Sequence, residues 1–427
     1  MKNKRLLALI GSVCLVLVLA ALSFMAACPA PAPPEEVSPK IGILYSKTGI
    51  YSFMGPDELD GILMALEDHG PVLGKTPELF IRDDGTDISI ATAAARELIT
   101  VRDVDFIITG DMNTPVGNAV AEVCDEYKIP FLYSSGGSAM MSGIGKAYTY
   151  PQGVIEPNPH PYTFYTWLNT VQRGFACVDV AKIYGAGWFF LASDYDHGRE
   201  GVGFAQQYLQ EEFGDKYVNL GEAWEKQGET DYTTAITRAI AAEPDVVFVL
   251  IPGRFVQFQK QAAALGLTDI AQIHWSYGER GSATAAGEAA YGLTSSVDYV
   301  VDNPDWPLAN EFALRFYDRY GYWPGWPSSA TYSGTQLMLM AVERAGSLDA
   351  VDIVRGFEGC ENPNPINGKP FYMRACDHKS VQPLYTVQWV ESDVYEPGYW
   401  KILAKVAEPD KGLLPCEWKA NYDKMEY

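Results

Sequence analysis

Histidine and basic side chains are scarce in this chain. Five histidines are scattered through 427 residues, and no spacing among them and the cysteines resembles a zinc site, so no metal is expected. Lysine and arginine number 32 against 54 aspartates and glutamates, a formal net charge of −22. That sign repels phosphate backbones, which excludes nucleic acid as a partner; the acidity itself reads as a source of solubility. Catalytic signatures are missing as well. The chain has no Gly-x-Ser-x-Gly elbow, no P-loop and no His-Glu-x-x-His. Gly198-Arg-Glu-Gly-Val-Gly203 has the wrong glycine spacing for a dinucleotide fingerprint. Asp83-Asp-Gly-Thr-Asp87 lacks the length of an EF-hand loop and reads as a strand-to-helix turn. Neither an enzyme nor a bound cofactor is expected.

An address label is present. Lys2, Lys4 and Arg5 precede an uncharged run from Leu6 to Phe24, and Ala26 and Ala27 stand directly before Cys28. This is the pattern of a secretory signal peptide over residues 1–27. Met25-Ala26-Ala27-Cys28 resembles a bacterial lipobox, which implies acylation of Cys28 at the mature N-terminus. A single membrane-spanning anchor is the other reading of the run, which is long enough to cross a bilayer. Prolines 29, 31, 33, 34 and 39 make residues 28–39 a semi-extended tether. Loss of residues 1–27 leaves a charge of −25 on the mature form, an exported protein, periplasmic or on the cell surface.

Cysteines 124, 177, 360, 376 and 416 remain besides Cys28. Export permits disulfides, and five thiols leave at least one free within one chain. Cys360 and Cys376 flank a turn-rich stretch, Asn362 to Gly368, able to fold back as a hairpin, so this pair is the expected bridge.

The chain beyond the tether is long enough for two cores. Short apolar runs at Ile41–Tyr45, Leu79–Ile81, Asp105–Ile108 and Ile129–Leu132 alternate with helical patterns, one of them capped by Asp87. The rhythm restarts with a helix from about Tyr162, then strands at Trp188–Leu191, Val218–Trp224, Val246–Leu250 and Ile273–Trp275; Asp231 is the expected cap of another helix. Near-continuous apolar strands between helices imply parallel sheets covered on both faces. The fold class is therefore α/β, two doubly wound parallel-sheet lobes. Helices at Leu308–Tyr320, Ser328–Ala345 and Asp349–Phe357 and strands near Phe371 and at Leu384–Val390 come after both series, so the chain re-enters lobes already formed.

Several segments resemble one family. Lys40-Ile-Gly-Ile-Leu-Tyr-Ser-Lys-Thr-Gly49 with Met54-Gly55 is similar to the opening of type I periplasmic solute-binding proteins, the branched-chain amino acid and amide receptors of ABC importers. Gly228 to Ile236, Pro244 to Val247, Tyr332 to Gly346 and Met373 to His378 continue the resemblance. It implies two lobes joined by three crossovers, 40–155 with 295–367 and 156–294 with 368–427. It also implies a receptor, anchored to the membrane by its lipid, that hands a small amino acid-like, carboxylate or amide ligand to an ABC permease. A ligand-sensing regulatory module is the alternative use of such a fold, and an exported hydrolase a third.

Ligands of open α/β sheets bind beyond the carboxyl ends of strands, which selects the loops there. Thr114, before Pro115, is suited to cap a helix whose free amides favour a carboxylate, and capping alone explains it equally well. The resemblance places Thr114, Gly136 and Ser138 at the head group and Tyr195 or His197 where relatives set a tyrosine over the ligand. Arg254, after another strand, aims a cation at the cleft or begins a helix at the surface. Trp275-Ser-Tyr277 falls where branched-chain receptors hold the ligand's ammonium with a carboxylate; Tyr277 stands there, with Glu279 two places on, which weighs against an ordinary α-amino acid. Tyr51 and Met54 offer an apolar or aromatic wall, core packing being the other account of Met54. Intact-mass analysis and detergent partitioning test the anchor: wild type should carry a lipid on Cys28, and Cys28→Ser should lose it. A variant still membrane-bound at its unprocessed length would make the N-terminus a spanning anchor.

Overall fold

The computed structural model describes residues 38–427 apart from 144, 407, 408 and 426. The signal segment, Cys28 and most of the tether thus lie outside the described residues. Among the described residues no helix is long and apolar enough to cross a membrane.

Five strands form the first sheet, in the order Glu78–Asp83, Lys40–Tyr45, Phe106–Thr109, Phe131–Tyr133, Thr163–Tyr165, every pairing parallel. Alternate residues of these strands face opposite layers. Ile41, Ile43 and Ile108 pack with Leu337, Met338 and Val342 of helix Trp326–Ala345. Leu44, Ile107 and Phe131 pack instead with Leu98 of helix Ile88–Thr100 and Val120 of helix Thr114–Tyr127. Burial on both sides is why these strands read as unbroken apolar runs. Asp87 caps its helix as expected, accepting from Ser89 N and Ile90 N.

The second sheet has seven strands, in the order Val218–Glu225, Gly187–Ser193, Val246–Leu250, Gln272–Trp275, Thr294–Val297, Tyr385–Glu391, Gly398–Lys405. The first five are parallel and the last two add antiparallel. In each sheet the second strand of the series lies outside the first and the third lies on its other side. The order therefore reverses beside the first strand, where a doubly wound sheet opens a crevice. The chain passes between the lobes into helix Thr170–Tyr184, into helix Pro307–Tyr320 and into strand Tyr385–Glu391, before its last residues return to the first lobe.

Three features differ from expectation. Thr163–Tyr165 is a strand of the first sheet, and the helix starts only at Thr170, where Asn169 and Gln172 form a capping box. Three residues carry too little periodicity to announce a strand, so the first lobe extends past 155. Thr294–Val297 is a strand that the apolar pattern does not announce, and it continues the second lobe beyond 294. Its hydroxyls are satisfied inside the sheet: Thr294 donates to Ile273 O at 3.2 Å and Ser295 to Trp275 O at 2.6 Å. Finally, the last residues, expected with the second lobe, return to the first. Tyr422 accepts from His160 N at 2.6 Å, and the Tyr427 ring meets Tyr162 edge-on.

The disulfide also differs. Cys376 is bridged to Cys416, and Cys360 is a buried free thiol. The expected hairpin does form, with Gly359 N donating to Met373 O and Met373 N to Cys360 O. Its register sets Met373 opposite Cys360, which leaves Cys376 beyond the hairpin, beside the returning C-terminal segment. This bridge closes a separation of 40 residues and should contribute about 4 kcal/mol. Cys416→Ser, or reduction, should lower the urea midpoint accordingly, and non-reducing peptide mapping should recover the 376–416 pair. Recovery of a 360–376 pair would contradict this.

Candidate functional site

The crevice side of the first lobe is built on buried carboxylates. Ser46, just past strand Lys40–Tyr45, donates to Asp84 Oδ1 at 2.8 Å. Helix Gly55–His69 starts hard against it: a Cβ on Gly55 would lie 2.1 Å from Ser46 O. That approach carries Glu58 inward, where it accepts from Asp111 N at 2.8 Å. Burial, and then the neighbouring Asp111, push the Glu58 carboxyl well above its usual range. Asp111 accepts from Asn113 N and from Tyr133 OH, both at 3.1 Å. It also accepts from the hydroxyl of Tyr277, which comes from the other lobe. This bond ties the two lobes across the crevice. Burial raises the Asp111 carboxyl, opposed by its three donors and by Arg173.

Arg173, near the start of crossover helix Thr170–Tyr184, is 2 % exposed. Its guanidinium lies 3.8 Å from the ring centre of Trp167 and 4.9 Å from that of Tyr277. Nε and both Nη atoms lack a hydrogen-bond partner. Desolvation draws its pKa down to about 10, with Tyr277, Asp111 and Asp298 holding it up, so it is charged at neutral pH. Trp167 stacks on Trp326 at 3.7 Å, and Tyr277 stands edge-on to both indoles. His197 adjoins this group, 6.1 Å from Tyr277 between ring centres, and a Cβ on Gly137 would lie 2.7 Å from its Cε1. Burial and then Arg173 push the imidazole down to about 3, so it is neutral, and its Nε2 is unpaired. The indole nitrogens of Trp167 and Trp326 and the hydroxyl of Ser135 are unpaired too. The seam thus gathers aromatic rings, one cation and several unpaired polar atoms.

The structure brings some of the expected residues here and assigns others elsewhere. Tyr51 is buried and faces Tyr195 and Tyr277, and Met54 packs in the same apolar cluster as Trp167 and Trp326. Tyr195 begins helix Asp196–Phe213 with its ring 6.0 Å from His197. Trp275 stacks on Phe255 at 3.7 Å, within the second lobe's core. Thr114 is the first helical residue and not the cap: Asn113 takes that place with φ 74° and ψ 143°, a positive-φ conformation outside the left-handed helical region and strained for a β-branched side chain. Gly136 lies under Tyr133 and Tyr165, each 3.0 Å from where a Cβ would stand. Ser138 donates to Glu200 at 2.9 Å, and Glu200 also accepts from Ala139 N and Thr170 Oγ1. That hydroxyl serves a bond between loop and helix. Arg254 stands half-buried at the start of helix Phe255–Ala264, near Tyr232. Glu279 is committed to its own helix, accepting from Gly281 N and Ser282 N. Among the described residues no group of side chains is suited to a metal.

Asp111, Trp167, Arg173 and Trp326 line the same seam although the sequence pattern alone does not mark them. Asp111 shares the loop that draws attention to Thr114. A lone arginine in the apolar stretch Val171–Val178 is the available signal for Arg173. Removing the hydroxyl that joins the lobes should be felt directly. Tyr277→Phe should lower unfolding free energy in urea by roughly 1.5–3 kcal/mol, the range for a bond to a charged group. Unchanged stability would mean the Tyr277–Asp111 contact does not hold the lobes.

Residues 38–393 match the model of a family described as periplasmic binding protein. No curated protein matches the chain significantly. Among solved structures, an ABC-transporter solute-binding protein of Rhodopseudomonas palustris BisB5, in complex with 3,4-dihydroxybenzoic acid, is similar at 22 % identity and a TM-score of 0.76, over 86 % of this chain and 97 % of that one. Another, from R. palustris HaA2 with p-hydroxybenzoic acid, is 21 % identical with a TM-score of 0.74, over 87 % and 97 %. A leucine-binding protein of Thermotoga maritima is 21 % identical with a TM-score of 0.72, over 87 % and 99 %. At these identities the structures speak for the fold. The family match, running through both lobes and all three crossovers, shows that the chain belongs to the periplasmic binding proteins.

Proposed function

We propose that this protein is the exported, lipid-anchored receptor of an ABC importer, and that its two lobes close on a small planar carboxylate to present it to the membrane permease. One observation carries the ligand class: loops from both sheets meet in a desolvated seam of stacked aromatic rings that also holds a cation. Flat rings recognise flat solutes through faces and edges. An α-amino acid would need a carboxylate for its ammonium; Asp111 already accepts three bonds and Glu279 caps a helix, which leaves the unpaired oxygens of Glu58 and Asp298 for that role. The ligands bound in two similar structures, 3,4-dihydroxybenzoic and p-hydroxybenzoic acid, agree with this class. Transport, and not signalling alone, is supported by the recurrence of ABC-transporter proteins among the similar structures.

Calorimetry with benzoate, 4-hydroxybenzoate, 3,4-dihydroxybenzoate and leucine tests the reading. The aromatic acids should bind and leucine should bind at least tenfold more weakly, a difference of about 1.4 kcal/mol. A saturating acid should also raise unfolding free energy, by about 2.7 kcal/mol at a hundred times Kd. Preference for leucine would contradict the assignment.

A further inference from the structure

We infer that Arg173 is the anchor for the ligand's carboxylate, and that it, rather than the amides at Thr114 or the hydroxyl of Ser138, sets the requirement for an anion. The inference rests on the receptor reading above and names the residue that gives it chemical selectivity.

A buried charge is normally paired, because desolvating an ion without compensation is expensive. Arg173 departs from that rule, since all three of its side-chain nitrogens lack partners. Of the two carboxylates that act on it, Asp111 is committed elsewhere, and Asp298, though not fully bonded, does not reach it. Asp111 is held by Tyr133, Asn113 and Tyr277. Asp298 accepts from Asn367 Nδ2 at 3.0 Å through Oδ2, and its Oδ1 has no hydrogen-bond partner. Both lie outside ion-pair distance, near enough to help keep the guanidinium charged and too far to take its donors. The Trp167 ring, 3.8 Å from the guanidinium carbon, offsets part of the desolvation. A guanidinium fork offers parallel N–H donors that match a carboxylate bidentately, which lysine cannot do.

The surroundings specify what the carboxylate is attached to. Trp167 and Trp326 stack on one side, Tyr277 stands edge-on, and Tyr51 and Tyr195 face across the seam. The neutral imidazole of His197, with Nε2 unpaired, offers a hydrogen bond to a hydroxyl or similar group on the ring. Arg173 sits on the first crossover helix, so a ligand held there touches the connection between the lobes as well as the lobes themselves.

Matched probes isolate the charge: 4-hydroxybenzoate and its uncharged amide, 4-hydroxybenzamide, measured by calorimetry on wild type, Arg173→Met and Arg173→Lys. Wild type should prefer the acid by about 100-fold or more, since two charge-assisted bonds are at stake. Arg173→Met should lose that preference, its affinity for the acid falling by a similar factor. Arg173→Lys should fall between, keeping charge without the fork. Thermal unfolding of ligand-free protein supplies a readout that a structural role would move the other way. Removing an unpaired buried cation should leave the midpoint unchanged or raised, whereas a fall of several degrees in both variants would mark Arg173 as a scaffold residue and overturn the inference. An acid preference retained in Arg173→Met would overturn it while leaving the receptor reading in place. Failure of wild type to bind any aromatic acid would overturn both.

Discussion

A guanidinium without a counterion, buried where two lobes meet, is the constraint around which this structure is arranged. Arg173 can stay charged there because Tyr277, Asp111 and Asp298 surround it and Trp167 lies against its face. None of them reaches its nitrogens, so none neutralises it directly. The Tyr277 hydroxyl, coming from the second lobe, satisfies Asp111 in the first and brings its ring beside Arg173. Closure of the lobes and the environment of the cation are thus one event, since separating Asp111 from Tyr277 would open the seam and hydrate the guanidinium.

The scaffold explains how that constraint is met. Both sheets reverse strand order beside their first strand; the loops after the strands supply Tyr51, Asp111 and Gly137 from one lobe and Tyr195 and Tyr277 from the other, with His197 from the first turn of helix Asp196–Phe213. Arg173 comes from neither set of loops. It comes from the first crossover, whose start is fixed by the Asn169–Gln172 capping box and whose helix packs beside Asp196–Phe213. The Glu200 network, joining that helix pair to Ser138 and Ala139, holds the cation's element against the first lobe. At the far side the Cys376–Cys416 bridge and the contacts of Tyr422 fasten the C-terminal segment over the same connection.

Much of this fold is legible in the sequence because parallel strands buried on both faces leave apolar runs that alternate with helices. Ile41–Tyr45 and Val246–Leu250 are such runs. Thr163–Tyr165 and Thr294–Val297 are not legible, the first for being short and the second because its polar side chains bond to a neighbouring strand that only the fold supplies. The site divides in the same way. Its loops follow from the rule for strand ends, and Tyr51, Tyr195, His197 and Tyr277 lie where that rule points. Gly136 and Ser138 lie in one of those loops and meet structural partners. Arg173 escapes because an arginine on an amphipathic helix ordinarily reaches water, and no local pattern distinguishes one turned inward to stack on an indole.

The most direct test of this account is a crystal structure of the protein with 4-hydroxybenzoate bound. The account predicts the carboxylate in the seam, both oxygens about 2.7–2.9 Å from nitrogens of Arg173, with the ring against the aromatic walls. A carboxylate seated on the amides that follow Asn113, with Arg173 making no contact to it, would contradict the central claim.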